Sequence, residues 1–153
     1  LPPGQWECVP AAATAVFQSL CGISVQADPA EPSVDFHDAI FGVITLVGDV
    51  EWALFLGLRR DAAETMARAF AGFEIAFDSG DMCDAVGEMT NILAGGVKQE
   101  LDNRGIRSEI SVPTILRDQE ATALFQHNRP MEVAFFKTPQ GQHLLTGVVA
   151  AGG

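Results

Sequence analysis

With 153 residues, 48% of them hydrophobic and 19% charged, the chain has the length and apolar content of one ordered domain, residues 1–153, with a core that needs no covalent staple. A net charge of −11 argues against nucleic acid and anionic membrane surfaces as partners, since both are bound through basic patches that displace counterions. Three cysteines, Cys8, Cys21 and Cys83, are an odd number without metal-type spacing, which favours reduced thiols in a cytoplasmic protein over disulfides or a zinc site.

The longest apolar runs, over 39–47 and 144–151, fall well short of the ~20 residues a membrane helix needs. The N-terminus also lacks a basic segment followed by an apolar one, so a soluble protein is expected. Because the chain opens Leu1-Pro-Pro-Gly4 without methionine, residues 1–7 are expected to be flexible or left by truncation or processing. The first organised segment is a helix over 9–21, with Val9, Ala13, Val16, Phe17 and Leu20 at helical spacing and Gly22 as its end. Pro29 and Pro32 make 24–33 a loop. From residue 39 the period changes to two. A β-branched strand over 39–47, the turn pair Gly48-Asp49 and a strand over 50–58 form a hairpin, with Val50, Trp52, Leu54, Leu56 and Leu58 on its buried face.

Helical spacing returns over 60–71, where Ala62, Ala63, Met66, Ala67 and Phe70 face inward and Gly72 is the stop. Asp78-Ser79-Gly80-Asp81 then supplies capping oxygens for a helix of about 24 residues, closed by Asn103-Arg104-Gly105. Strands are expected over 107–112, 131–137 and 142–150, the last two joined as a hairpin across Thr138-Pro139-Gln140-Gly141. Residues 114–128 are ambiguous: 115–117 reads as a strand, and 120–125 as either a strand or a short helix. Hairpin connections favour a mainly antiparallel sheet with long helices packed on it, an α/β domain of the α+β type.

The long helix carries polar groups that packing does not call for. At about 100° per residue, Met82, Val86, Met89, Leu93, Val97 and Leu101 form one apolar stripe. Asp84, Glu88, Asn91, Gly95 and Lys98 gather on the opposite side. Gly95 and Gly96 each cost about 1 kcal/mol relative to alanine in mid-helix, and bare backbone beside Glu88 and Asn91 lets another surface come close.

The pattern Asp84-x-x-x-Glu88-x-x-Asn91-x-x-x-Gly95 resembles the signature helix of the CheC/CheX phosphatases of bacterial chemotaxis. Flanking segments agree: the helix over 10–20 with Phe17, the strand Gly42-Val-Ile-Thr-Leu-Val-Gly48, the helix over 61–72, and Ile110-Ser-Val-Pro113-Thr after the long helix. The likeness covers residues 8–150. It is most like CheX, because CheC proteins usually carry a second motif on the first helix, and 11–14 offers no acidic residue followed by asparagine. The resemblance implies a CheC-like fold, a homodimer, and hydrolysis of the aspartyl phosphate on a CheY-type response-regulator receiver. It implies no cofactor of the chain's own, with Mg²⁺ expected in the partner receiver.

Given that substrate, the residue types fit. The phosphoryl transition state is loose, so an added group need only order a water in line with the scissile bond. The amide of Asn91 can accept from water and donate to a phosphoryl oxygen. Glu88, three residues earlier on the same face, is suited to a charge-assisted bond with the receiver's lysine. Asp84, Gly95 and Lys98 are candidate partner contacts, though Asp84 reads more readily as a residue that solvates the helix and Lys98 as an ordinary surface lysine. The exposed edge of the C-terminal hairpin is a candidate dimer contact.

Glu-x-x-Asn alone is unspecific, since Glu100-Leu-Asp-Asn103 also matches. That copy lies near the apolar stripe and the helix end, as a rim or capping feature. His37, His127 and His143 lack metal-ligand spacing, and no nucleophile elbow or phosphate-cradling glycine loop occurs. The alternative is a non-catalytic adaptor that binds a receiver or a flagellar switch component.

Overall fold

Alternating large apolar residues along 39–58 build the centre of the sheet, and everything else is laid against them. The structure is a computed structural model describing residues 3–28 and 37–150; the part of the expected 24–33 loop beyond residue 28 lies outside the described residues. Strands β2 (Ala39–Gly48) and β3 (Glu51–Arg59) pair antiparallel from Ala39↔Arg59 to Val47↔Glu51. On the far side of β3 lies β7 (His143–Ala150), then β6 (Met131–Lys137), then the two-residue β1 (Gln26–Ala27). Beyond β2 lie β4 (Ser108–Ile110) and β5 (Thr114–Arg117), both paired to it. All these pairings are antiparallel.

Strand period two sends Ile40, Ile44 and Leu46 of β2 and Trp52, Leu54, Leu56 and Leu58 of β3 into the main core. Helices α2 (Cys8–Cys21), α3 (Arg60–Ala71) and α4 (Gly80–Asp102) contribute to that same cluster. Left-handed glycines stop the first two, Gly22 at φ 65° and Gly72 at φ 86°. Where the sequence gives no ordered element before residue 9, Pro3–Trp6 forms a helical turn, α1, and Trp6 packs against the core.

The opposite sheet face carries a second cluster of Phe41, Phe55, Leu145 and Val149. It explains the stretch the sequence left open. After β5 the chain turns into a 3-10 helix, Asp118–Leu124, and Phe125 is set edge-on against Phe41 and Phe55, with ring centroids 6.0 and 5.5 Å apart. The strand expected over 107–112 is shorter, because pairing with β2 breaks off after Ile110 and resumes at Thr114.

Candidate active site

Helix α4 is held from three sides, and its remaining face is open. Six apolar side chains, Met82, Val86, Met89, Leu93, Val97 and Leu101, are each 0% exposed. Fully burying one such side chain stabilises by about 1.5–3 kcal/mol, which outweighs the mid-helix glycines. At its start, Ser79 accepts from the Met82 N–H at 3.2 Å, satisfying one of the helix's free donors. Arg117, on β5, donates to the carbonyls of Phe77 (2.8 Å) and Ser79 (3.4 Å) and lies over the Phe77 ring. The end of the sheet is thereby tied to the entry of the helix.

The middle of α4 comes still closer. A Cβ on Gly42 of β2 would stand 2.0 Å from Thr90 Oγ1 and 2.9 Å from Thr90 Cβ, so only glycine admits the helix at this depth. Thr90 is itself fully buried, and its hydroxyl donates to the Val86 carbonyl at 2.6 Å. It sits between Glu88 and Asn91 in sequence and about 100° from Asn91 around the helix. Seating Thr90 inward therefore fixes the rotation that turns Glu88 and Asn91 outward. The sequence reading assigned no role to either residue of this pair, although a lone glycine within an apolar strand is the usual sign of close backbone approach.

Glu88 and Asn91 are both exposed, as is Asp84 one turn earlier. None of the three makes a hydrogen bond or ion pair with any described residue. A carboxylate and an amide are thus presented together, acceptor-only and donor-plus-acceptor, with no described residue to satisfy them. The glycines divide. A Cβ on Gly95 would meet nothing within 4 Å, so the outer face is bare there, whereas one on Gly96 would meet Val16 at 3.2 Å and Ala12 at 3.5 Å. Gly96 admits the protein's own α2 and not a visitor. Lys98 is half-buried, its ammonium 3.5 Å from Asp102 one turn on.

The second Glu-x-x-Asn stands apart from this arrangement. Asn103 ends the helix and its side-chain oxygen accepts from Gln99 Nε2 at 3.1 Å, while Glu100 is half-buried. Other chemistries find no assembly. His127 lies 2.6 Å from the Leu124 carbonyl and His143 3.3 Å from Asp28. Among the described residues no three His, Cys, Asp or Glu side chains are grouped to hold a metal ion. Burial pushes the Cys21 thiol up to about 11 and also raises Cys8, which leaves neither as a thiolate nucleophile at neutral pH. No described helix is long and apolar enough to cross a membrane.

The family profile described as chemotaxis phosphatase CheX matches residues 40–137, which include the whole of α4. The chain belongs to the CheX family. Among solved structures, a CheC-like superfamily protein from Shewanella sp. PV-4 superposes with a TM-score of 0.80 at 15% identity, covering 99% of this chain and 100% of that one. CheX from Vibrio vulnificus gives 0.77 at 17% identity over 94% and 93%. CheX from Borrelia burgdorferi, solved in a complex with CheY, BeF3 and Mg²⁺, gives 0.76 at 19% identity over 95% and 97%. At these identities the likeness establishes the CheC-like fold, an antiparallel sheet with helices packed on it. No curated protein sequence matches the chain.

Proposed function

We propose that this CheX-family chain hydrolyses the aspartyl phosphate of a CheY-type receiver domain. The observation that carries the reading is the pairing of Glu88 with Asn91, exposed and without a partner among the described residues, on a helix whose other faces are buried. The CheX–CheY complex of the Borrelia relative supports a receiver as the partner.

In this reading the face of α4 enters the receiver's phosphorylation pocket. Glu88 bonds the receiver's lysine, a charge-assisted contact that sets α4 over the phosphate. The Asn91 amide oxygen accepts a hydrogen bond from a water and holds it in line with the bond between phosphorus and the aspartyl oxygen. Water attacks phosphorus, that bond breaks, and the products are the receiver's free carboxylate and inorganic phosphate. Mg²⁺ belongs to the receiver, and α4 supplies position instead of a proton acceptor. Asp84 and Gly95 border the contact. Lys98, engaged by Asp102, is its outermost member.

The test is phosphate release from a phosphorylated receiver with Mg²⁺, using wild type, Asn91→Ala and Glu88→Ala. Asn91→Ala is expected to lower the rate at saturation about 100-fold with binding kept, and Glu88→Ala to weaken binding as well. Acceleration that survives both substitutions removes the mechanism, and binding without any acceleration favours the adaptor reading.

The same reading makes the protein a cytoplasmic homodimer. Three free thiols support the compartment. For the dimer, described residues pair with the outer edge of β6 only at its end, through Gln26↔Lys137, Ala27↔Phe136 and the Asp28 N–H on the Phe135 carbonyl. Sedimentation of the purified protein tests it: a monomer at all concentrations removes the dimer.

A further inference from the structure

The site has a second component off helix α4, on the neighbouring edge of the sheet. Ile110 of β4 stands opposite Leu46, and Thr114 of β5 opposite Val43. The edge chain therefore uses one residue more than β2 over the same span, and the surplus falls within Ser111-Val112-Pro113. This is a β-bulge, a device that re-aims a side chain and is over-represented beside active sites.

The bulge is held firmly. The Ser111 N–H donates to the Thr45 carbonyl at 3.0 Å, and the Thr45 N–H donates to Ser111 Oγ at 2.9 Å. The Ser111 hydroxyl in turn donates to the Val112 carbonyl at 3.0 Å. On the other side, Pro113 lies against α4: a Cβ on Gly87 would stand 3.6 Å from Pro113 Cγ. Gly87 immediately precedes Glu88 and lies about 40° from Asn91 around the helix. The bulge thus borders the open face on its Asn91 side. Between these two anchors, Val112 is 82% exposed, against 60% for Phe73 and 55% for Val47, the other large exposed hydrophobic side chains among the described residues.

We propose that Val112 is an apolar docking contact for the receiver domain that Glu88 and Asn91 engage, packing on apolar surface that borders the receiver's phosphorylation pocket. The inference rests on the receiver reading above and adds the residue that gives the encounter apolar area. Glu88, Asn91 and Asp84 supply polarity only, and a polar constellation with no buried apolar anchor gives orientation with little affinity. A β-branched side chain on a pinned bulge loses little freedom when covered. Its chain neighbour Pro113 lies against α4 at Gly87, so the bulge that carries Val112 is continuous with the surface α4 presents, which selects the receiver over other occupants.

The experiment titrates the full chain with a phosphorylated receiver and Mg²⁺, reading binding by fluorescence and turnover by phosphate release. Val112→Ser is expected to raise the half-saturating receiver concentration roughly tenfold, leave the rate at saturation unchanged and leave sedimentation unchanged. Val112→Ile keeps wild-type binding. Unchanged binding in Val112→Ser overturns the proposal. So does a sedimentation shift to a smaller species, which assigns Val112 to a contact between copies of this chain. Wild type and Asn91→Ala, run alongside, separate the claims: no acceleration by wild type removes the phosphatase reading and undiminished turnover in Asn91→Ala removes its mechanism, while weaker binding in Val112→Ser upholds the docking contact in either case.

Discussion

Helix α4 carries the Glu-x-x-Asn spacing twice, and the two copies have opposite surroundings. Glu88 and Asn91 lie mid-helix, exposed and without partners among the described residues. Glu100 is half-buried, and Asn103 is spent on the helix end, accepting from Gln99. The same residue types at the same spacing thus become a presented pair in one place and a terminus in the other. The difference comes from what lies beneath. Below the first copy, Thr90 is drawn against Gly42 and fixes which way the helix faces, whereas the second copy lies where the helix runs out and its last turn satisfies its own groups.

The comparison is broken most directly by turnover. Asn91→Ala is expected to reduce receiver dephosphorylation about 100-fold, roughly 2.7 kcal/mol of transition-state stabilisation. Asn103→Ala, assayed in parallel, is expected to leave the rate at the wild-type value. Equal losses would mean that spacing and not placement decides.

Next in size is the contact that sets the rotation. Gly42→Ala puts a methyl 2.0 Å from Thr90 Oγ1, and overpacking of this kind costs about 1–3 kcal/mol. For a chain of this length the midpoint of thermal unfolding falls by roughly 2–4 °C per kcal/mol. Adding Thr90→Ala removes the nearest atom and is expected to recover part of the loss, so the pair is less destabilised than the sum of the singles. Full additivity in calorimetry would show that the two residues do not meet as described.

Much of this was legible in the sequence, for a physical reason. A 23-residue helix with six apolar residues at threes and fours has only one way to bury them, so the exposure of Glu88 and Asn91 follows from periodicity. The end of α3 followed from Gly72, and the β2–β3 hairpin from a β-branched apolar run, a turn pair and the alternation over 50–58. What periodicity could not carry were relations between distant segments. Gly95 and Gly96 are identical in type and adjacent, yet about 100° apart on the helix, so one opens outward and the other receives Val16 and Ala12. The bulge at Ser111-Val112-Pro113 reads as the end of a strand until β2 is laid beside it, since register belongs to a pair of strands. The 3-10 segment has weak local preference and is placed by Phe125 reaching Phe41 and Phe55.

Ser79→Ala probes the start of the same helix. It removes the acceptor for the Met82 N–H and is expected to cost about 1 kcal/mol, a shift of a few degrees in unfolding midpoint. Ser79→Asp keeps an acceptor and is expected to restore it. Turnover at low temperature should match wild type in both, because the buried stripe and the Gly42 contact keep the middle of α4 in place.

The smallest effect is expected at the second copy. Asn103→Ala forfeits one exposed side-chain contact with Gln99, and an exposed substitution of this kind ordinarily stays within about 0.5 kcal/mol. The backbone stop does not depend on that side chain: the Asn103 N–H donates to the Gln99 carbonyl at 3.0 Å, and the Ile106 N–H returns to Leu101 at 2.9 Å across Gly105 at φ 76°. An unfolding midpoint that drops as far as in Gly42→Ala would mean that the amide, and not this backbone closure, holds the end of α4, and the contrast between the two copies would lose its structural half.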